Sequence, residues 1–318
     1  MKTFEKETFK ESFIKVKLLG KASSKAQSAM EYLMTYGWAI LIIAVVLGAL
    51  FELGVFNANN FAPKAPPGAC QVFRPNGPDT TSFINLEGIC TGEIPQYVAQ
   101  FNGAGANVTI KTSQPLLPGN QETMAVWINW NGAPPGGRQE ILGADSSLGN
   151  EINPIIAVND SGTEEAETWV CTTSSCWPEA KSQPNSIMPG RWYFLVSRYN
   201  GSSLSLWING VQVASTGASG NLVPLGNGLS AYISSRSNTC CYFNGKVANA
   251  QIYNTSLSAD DIQALYLEGI GGAPINLQKL VGWWPLNGNV NDYSGNDNNG
   301  QINNVNFVSN WYSSYTPP

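Results

Sequence analysis

The sequence has no histidine. That removes the usual general base, the commonest metal ligand and the side chain that changes charge near neutral pH. Charge is also scarce, at 12 % of 318 residues. Basic residues are the rarer sign, 17 against 22 acidic, and they are unevenly placed. Residues 1–26 hold seven lysines against three glutamates, net +4, which leaves net −9 for the rest of the chain. An acidic body of this kind repels phosphate backbones, so nucleic acid is not an expected partner. There is no C-x-x-C pair to seed a zinc site, no Gly-rich phosphate loop and no nucleophile elbow.

What is abundant points to strands and turns. Glycine (32), proline (19), tyrosine (12) and tryptophan (10) are frequent, a mix that suits an all-β domain better than a helical enzyme. The six cysteines, Cys70, Cys90, Cys171, Cys176, Cys240 and Cys241, all follow the one long apolar segment. An even number on one side of a membrane fits disulfides in an oxidising exterior.

That segment, YLMTYGWAILIIAVVLGALFELGVF, runs from Tyr32 to Phe56. About 20 apolar residues cross a bilayer core as a helix, and this run suffices. Lysines crowd its N-terminal side, and the first basic residue beyond it is Lys64. The positive-inside rule therefore places residues 1–26 in the cytoplasm and residues 57–318 outside. A secretory signal would carry its small-residue cleavage site after a shorter apolar core, whereas here the small residues come first, in KASSKAQSAMEYLMTYGWAIL.

These residues resemble the class III signal peptides of archaeal type IV pilins and flagellin-like subunits. The resemblance covers residues 21–56 and implies cleavage by a prepilin peptidase between Ala26 and Gln27, after Lys25. It also implies that Glu31, then fifth in the mature chain, faces the free N-terminal amine of a neighbouring subunit during assembly. A carboxylate at the edge of a lipid-buried helix is costly and marks function. The expected plan is a leader (1–26), a transmembrane and filament-core helix (27–56), a stiff Pro-rich linker (57–68) and an extracellular β-domain (69–318).

Within that domain, residues 123–130, 191–199, 203–208, 211–216, 228–235 and 247–254 read as strands. Asn209-Gly210 is the dipeptide best fitted to a type I′ hairpin, and Asn244-Gly245 repeats the signal. Ser258, with Asp261 three residues on and Gly269 beyond, brackets the one convincing helix. AQFNGAGANVTI (99–110), Trp127 and Trp130, RWYFLVSRYNGSSLSLWINGVQVAS (191–215) and GKVANAQIYNTSLSADDIQALY (245–266) resemble the LamG-like, concanavalin A-like jelly rolls. The resemblance implies an all-β sandwich behind the long hydrophobic helix. The tail LVGWWPLNGNVNDYSGNDNNGQINNVNF (280–307) resembles the segment that opens such domains, so 275–318 is expected to complete the same jelly roll in permuted order.

Candidate sites are of four kinds. Trp169, Trp177, Trp192 and Trp283 offer faces on which sugars could stack. Asp292, Asn296, Asp297 and Asn299 place hard oxygen donors at short spacing, a pattern open to Ca²⁺ or to a metal-free turn; no other cofactor is implied. Cys171 and Cys176 enclose a short loop they could close, Cys70 with Cys90 would tie down the start of the domain, and Cys240 and Cys241 pair with each other or elsewhere. Asn107, Asn159, Asn200 and Asn254 head glycosylation sequons. Glu164, Glu165 and Glu167 form the densest acidic cluster, but in a Gly/Ser/Thr-rich segment that reads as a solvated loop, so no enzyme is expected.

The expected function is a structural subunit of a type IV pilus-like filament at the cell surface. Its partners would be identical subunits, prepilin peptidase, the assembly machinery, the membrane before assembly, and surface glycans or a host cell. The alternative is a membrane-anchored lectin-like receptor that never polymerises.

Overall fold

The computed structural model describes residues 36–48, 95–111, 119–132, 137–145, 154–222, 230–236 and 238–318. The chain divides into two units, Met1–Ala62 and Pro63–Pro318. In the first, residues 36–48 form helix α1, exposed along its whole length. Among the described residues no helix is long and apolar enough to cross a membrane. Both ends of the expected 27–56 helix lie outside the described residues, as do Lys25, Ala26, Gln27, Glu31, the 57–68 linker, Cys70 and Cys90.

The second unit is built of strands. In chain order these are β1 (Val98–Asn102), β2 (Asn107–Lys111), β3 (Glu122–Trp130), β4 (Gln139–Asp145), β5 (Ile155–Val158), β6 (Ala166–Cys171), β7 (Cys176–Lys181) and β8 (Trp192–Tyr199). Then come β9 (Ser203–Ile208), β10 (Val211–Gly217), β11 (Ser230–Ile233), β12 (Asn244–Tyr253), helix α2 (Ala259–Leu267), β13 (Leu280–Trp284), β14 (Gly300–Asn303) and β15 (Asn306–Val308). They form two antiparallel sheets. One has the order β10-β9-β8-β3-β12-β1-β15, with β13 also on β12; the other has the order β14-β2-β11-β4-β5-β6-β7.

Side chains from both sheets interdigitate in one buried core that includes Phe101, Val108, Ile110, Val126, Ile156, Leu195, Ile233 and Trp284. A second cluster lies on the other face of the first sheet, where Trp127, Phe194, Ile262, Leu265 and Trp311 pack together. Strand β3 serves both: Met124, Val126, Ile128 and Trp130 belong to the first cluster, Ala125 and Trp127 to the second. Burial on both faces explains why its sequence is a continuous apolar run rather than an alternating one.

The tail supplies strands to both sheets. β12 pairs with β1 over Asn244–Val247 and with β13 over Ala250–Tyr253, so the two lie end to end along one edge of it. β15 pairs with β1, and β14 pairs with β2 in the opposite sheet.

The local signals fare unequally. Asn209 (φ 51°) and Gly210 (φ 77°) both take the positive φ of a type I′ turn between β9 and β10. Ser258 and Asp261 form a reciprocal capping box at the start of α2. Asn244-Gly245 makes no hairpin: both residues lie inside β12, paired with β1 on one side, and Gly245 with β3 on the other. The glycine is needed for close approach, because a Cβ at Gly245 would meet the carbonyl oxygen of Asn129.

Candidate ligand-binding site

The outer face of the first sheet carries an aromatic cluster whose members come from distant parts of the chain. Trp127 projects from β3 and stacks on Tyr266 of α2, with centroids 5.8 Å apart and planes 21° apart. Phe194 of β8 lies 5.3 Å from Trp127, and Tyr315 meets the same indole edge-on at 5.6 Å. Trp192, which opens β8, meets Trp311 edge-on at 5.4 Å. The tail is pinned there by hydrogen bonds from Trp311 Nε1 to the Pro95 carbonyl (3.1 Å) and from the Ile270 amide to Tyr315 Oη (3.0 Å). The β9–β10 turn seats against α2, since a Cβ on Gly210 would lie 3.2 Å from the Tyr266 ring.

Between these elements lies a hollow of about 300 Å³, lined by Trp127, Arg191, Trp192, Tyr193, Asn209, Tyr266 and residues 316–318. Asn209 Oδ1 accepts from the Phe194 amide (2.9 Å), which fixes the side chain. The indole N–H groups of Trp127 and Trp192 are buried and have no hydrogen-bond acceptor among the described residues. Such a donor costs about 1–3 kcal/mol while unmet. The lining includes no carboxylate side chain, and Arg191 is its one charged side chain.

The outer face of the second sheet is occupied differently. Lys181 Nζ lies 3.1 Å from Glu167 Oε2, 2.9 Å from Glu179 Oε1 and 3.7 Å from Asp160 Oδ2. These three carboxylates lie close enough to hold a cation, and the lysine ammonium stands beside all three. Burial, aided by the Asp160 charge and opposed by Lys181, pushes the Glu167 carboxyl up to about 8. Burial also works against the Lys181 ammonium, but its bonds to Glu179 and Glu167 outweigh that and hold its pKa well above the ordinary lysine value. Nearby, Arg138 pairs with Glu140 at 2.9 Å and lies 4.4 Å above the Trp169 ring.

The expectation of a solvated acidic loop at Glu164, Glu165 and Glu167 is therefore corrected. Glu167 lies in β6 opposite Lys181 and is fully buried. Glu165 is buried in the preceding turn, where it accepts from the Ser161 amide (2.6 Å) and from the amide and hydroxyl of Thr163. Burial opposes that carboxylate's charge, but these bonds outweigh it and lower its pKa. Ion pairing lets a polar segment sit in the sheet, and composition alone did not reveal the partner.

The other predicted residues are placed as follows. Of the four tryptophans, Trp192 lines the hollow, Trp177 is 51 % exposed on β7, and Trp169 and Trp283 are buried. Asp292 is buried: Oδ1 accepts from the amides of Trp283 and Ser294, and Oδ2 from the Asn298 amide and the Ser294 hydroxyl, all at 2.8–2.9 Å. Asn299 Oδ1 accepts from the Asp292 amide, Asn296 donates to the carbonyls of Leu280 and Val281, and Asp297 is exposed. These residues bind their own loop rather than converging on one point. Cys171 is bonded to Cys176 and Cys240 to Cys241. Asn254 is exposed and Asn200 half-buried, while Asn107 and Asn159 are buried in hydrogen-bonded positions. Arg191, Asn209 and Tyr266 were not anticipated as site residues; the signal was their nearness to turn and helix ends facing Trp127.

Two antiparallel sheets packed face to face, with a short capped helix on one of them, define a jelly-roll-type sandwich. Residues 102–263, about half of the chain, match the laminin G-type model of the concanavalin A-like lectin/glucanases superfamily, and the chain belongs to that superfamily. No curated protein matches it. Among solved structures it is similar to a Bacteroides ovatus protein provisionally described as carbohydrate-binding, with 14 % identity, TM-score 0.50, and coverage of 68 % of this chain and 60 % of that one. The chain thus spans about three-fifths of that protein's length. It is also similar to a heptameric SAP-like pentraxin of Limulus polyphemus (14 %, TM-score 0.43, 54 % of this chain and 82 % of that one). A third likeness is to domains LG4-5 of the mouse laminin α1 chain (16 %, TM-score 0.39, 52 % and 43 %). At these identities the likeness is one of fold.

Proposed function

We propose that this protein is a glycan-binding subunit of a type IV pilus-like filament at the cell surface, with no enzymatic role. The observation that carries the reading is a pairing within one chain. Residues 21–56 resemble a class III signal with its cut between Ala26 and Gln27 ahead of a long apolar segment, and the same chain continues into a lectin-superfamily sandwich. Prepilin peptidase removes the leader, the apolar helices bundle with identical subunits, and Glu31 meets a neighbour's amine. Burying apolar helices among their neighbours drives that assembly. The sandwich then faces outward for attachment to surface glycans or a host cell.

Support for binding comes from the aromatic-walled hollow, the concave kind of place where small ligands settle. Two of the buried acids are engaged by cations, Glu140 by Arg138 and Glu167 by Lys181, which disfavours hydrolysis at either. No cofactor enters the reading.

The test is electron microscopy of cells expressing the full chain, with antibody against the sandwich. Labelled filaments are expected, and they should disappear in a Glu31→Ala variant that still inserts in the membrane. Uniform membrane labelling without filaments would favour the non-polymerising, membrane-anchored receptor instead.

A further inference from the structure

We propose that the hollow beside Trp127 and Trp192 is the glycan site, and that it takes a single acidic sugar residue of the uronic-acid class. The inference rests on the glycan-binding reading above and narrows it to one place and one chemistry.

The walls favour a sugar ring. Trp192, Tyr193 and Tyr266 border the hollow with aromatic rings, the kind of wall that accepts the C–H faces of a pyranose and leaves its hydroxyls at the edges. A volume of about 300 Å³ is at the small end for ligand pockets and suits one ring rather than a chain laid along a groove. Asn209, whose oxygen is committed to the Phe194 amide, has its amide hydrogens to offer beside the Arg191 guanidinium. A ligand rich in oxygen acceptors meets that demand.

The charge selects among sugars. Arg191 is exposed, makes no ion pair among the described residues, and is the one charged side chain of the lining. A guanidinium binds a carboxylate in a two-pronged hydrogen-bonded pair, the strongest polar contact such a site can make. On the opposite face Arg138 is engaged by Glu140 and Lys181 by three carboxylates.

The test uses the full chain in detergent micelles, titrated with glucuronic acid and with glucose and followed by tryptophan fluorescence and saturation-transfer NMR. Glucuronic acid is expected to bind at least about tenfold more tightly than glucose. Arg191→Met, at an exposed position, should erase that preference, and Trp192→Phe, which shortens the aromatic wall, should weaken both sugars. Equal binding of the two sugars by the wild-type protein would overturn the acidic class. Glucuronic acid binding that ignores both substitutions would overturn the site while leaving the glycan reading intact. Failure of the wild-type protein to bind either sugar or a mucin-coated surface would overturn the site and the glycan reading together.

Discussion

Lys181 Nζ stands 3.1 Å from the carboxylate of Glu167, a side chain with no exposed surface, and still leaves that carboxyl with a pKa raised to about 8. Desolvation outweighs the ion pair, because Lys181 is shared with Glu179 and Asp160 and the Asp160 charge adds to the rise. Around neutral pH, Glu167 is therefore largely protonated in the folded state and ionised in the unfolded one. Where the folded state holds the extra proton, stability falls as pH rises. The loss should run from the ordinary carboxyl range near 4.5 up through about 8. Glu167→Gln should flatten that slope, as read from urea midpoints between pH 5 and 9. A wild-type profile that rises over this window would contradict the assignment.

Glu122 opens β3 fully buried, and neither carboxyl oxygen has a hydrogen-bond partner among the described residues. Burial pushes its pKa well up. Replacing it with methionine, similar in volume and apolar, should raise stability by about 1–3 kcal/mol at pH 8 and by less at pH 5. Thermal unfolding at the two pH values measures the difference, and equal or lower stability at pH 8 would show that the carboxyl has a partner after all.

Asp292 holds its loop by accepting four hydrogen bonds. Asp292→Ala should cost about 2–4 kcal/mol, since bonds to a charged group are the stronger kind. Because these oxygens serve the loop, chelation of divalent cations should leave the unfolding temperature unchanged. A rise of several degrees on adding calcium would show that the loop opens to bind it.

The tail is structural throughout the sandwich. Trp284 is fully buried in the inter-sheet core, and its Nε1 donates to the Asn298 carbonyl at 2.9 Å. Trp284→Ala should destabilise by about 3–5 kcal/mol. A chain stopped after Lys279 would lose β13, β14 and β15 and should be protease-sensitive throughout, measured by limited proteolysis; a resistant, soluble fragment would contradict this.

Much of the fold was legible because its signals are local. The strands around Trp127, Phe194 and Leu206 carry β-branched and aromatic runs, Asn209-Gly210 marks its turn, and Ser258 with Asp261 marks its helix. Asn244-Gly245 misled because close approach to Asn129 and a hairpin both call for the same residue. Glu167 misled because its partner arrives across the β6–β7 pairing, which composition does not display. The hollow was only half visible. Trp192 was a candidate from the start, but the registers of β3 and β8 and the seating of α2 bring Trp127, Arg191 and Tyr266 around it.

The most direct measurement for the filament reading is the mass of the mature N-terminus, taken on protein recovered from the cell surface. The proposal predicts a chain that begins at Gln27, with residues 1–26 removed. A surface protein whose N-terminal peptide still starts at Met1 would contradict it.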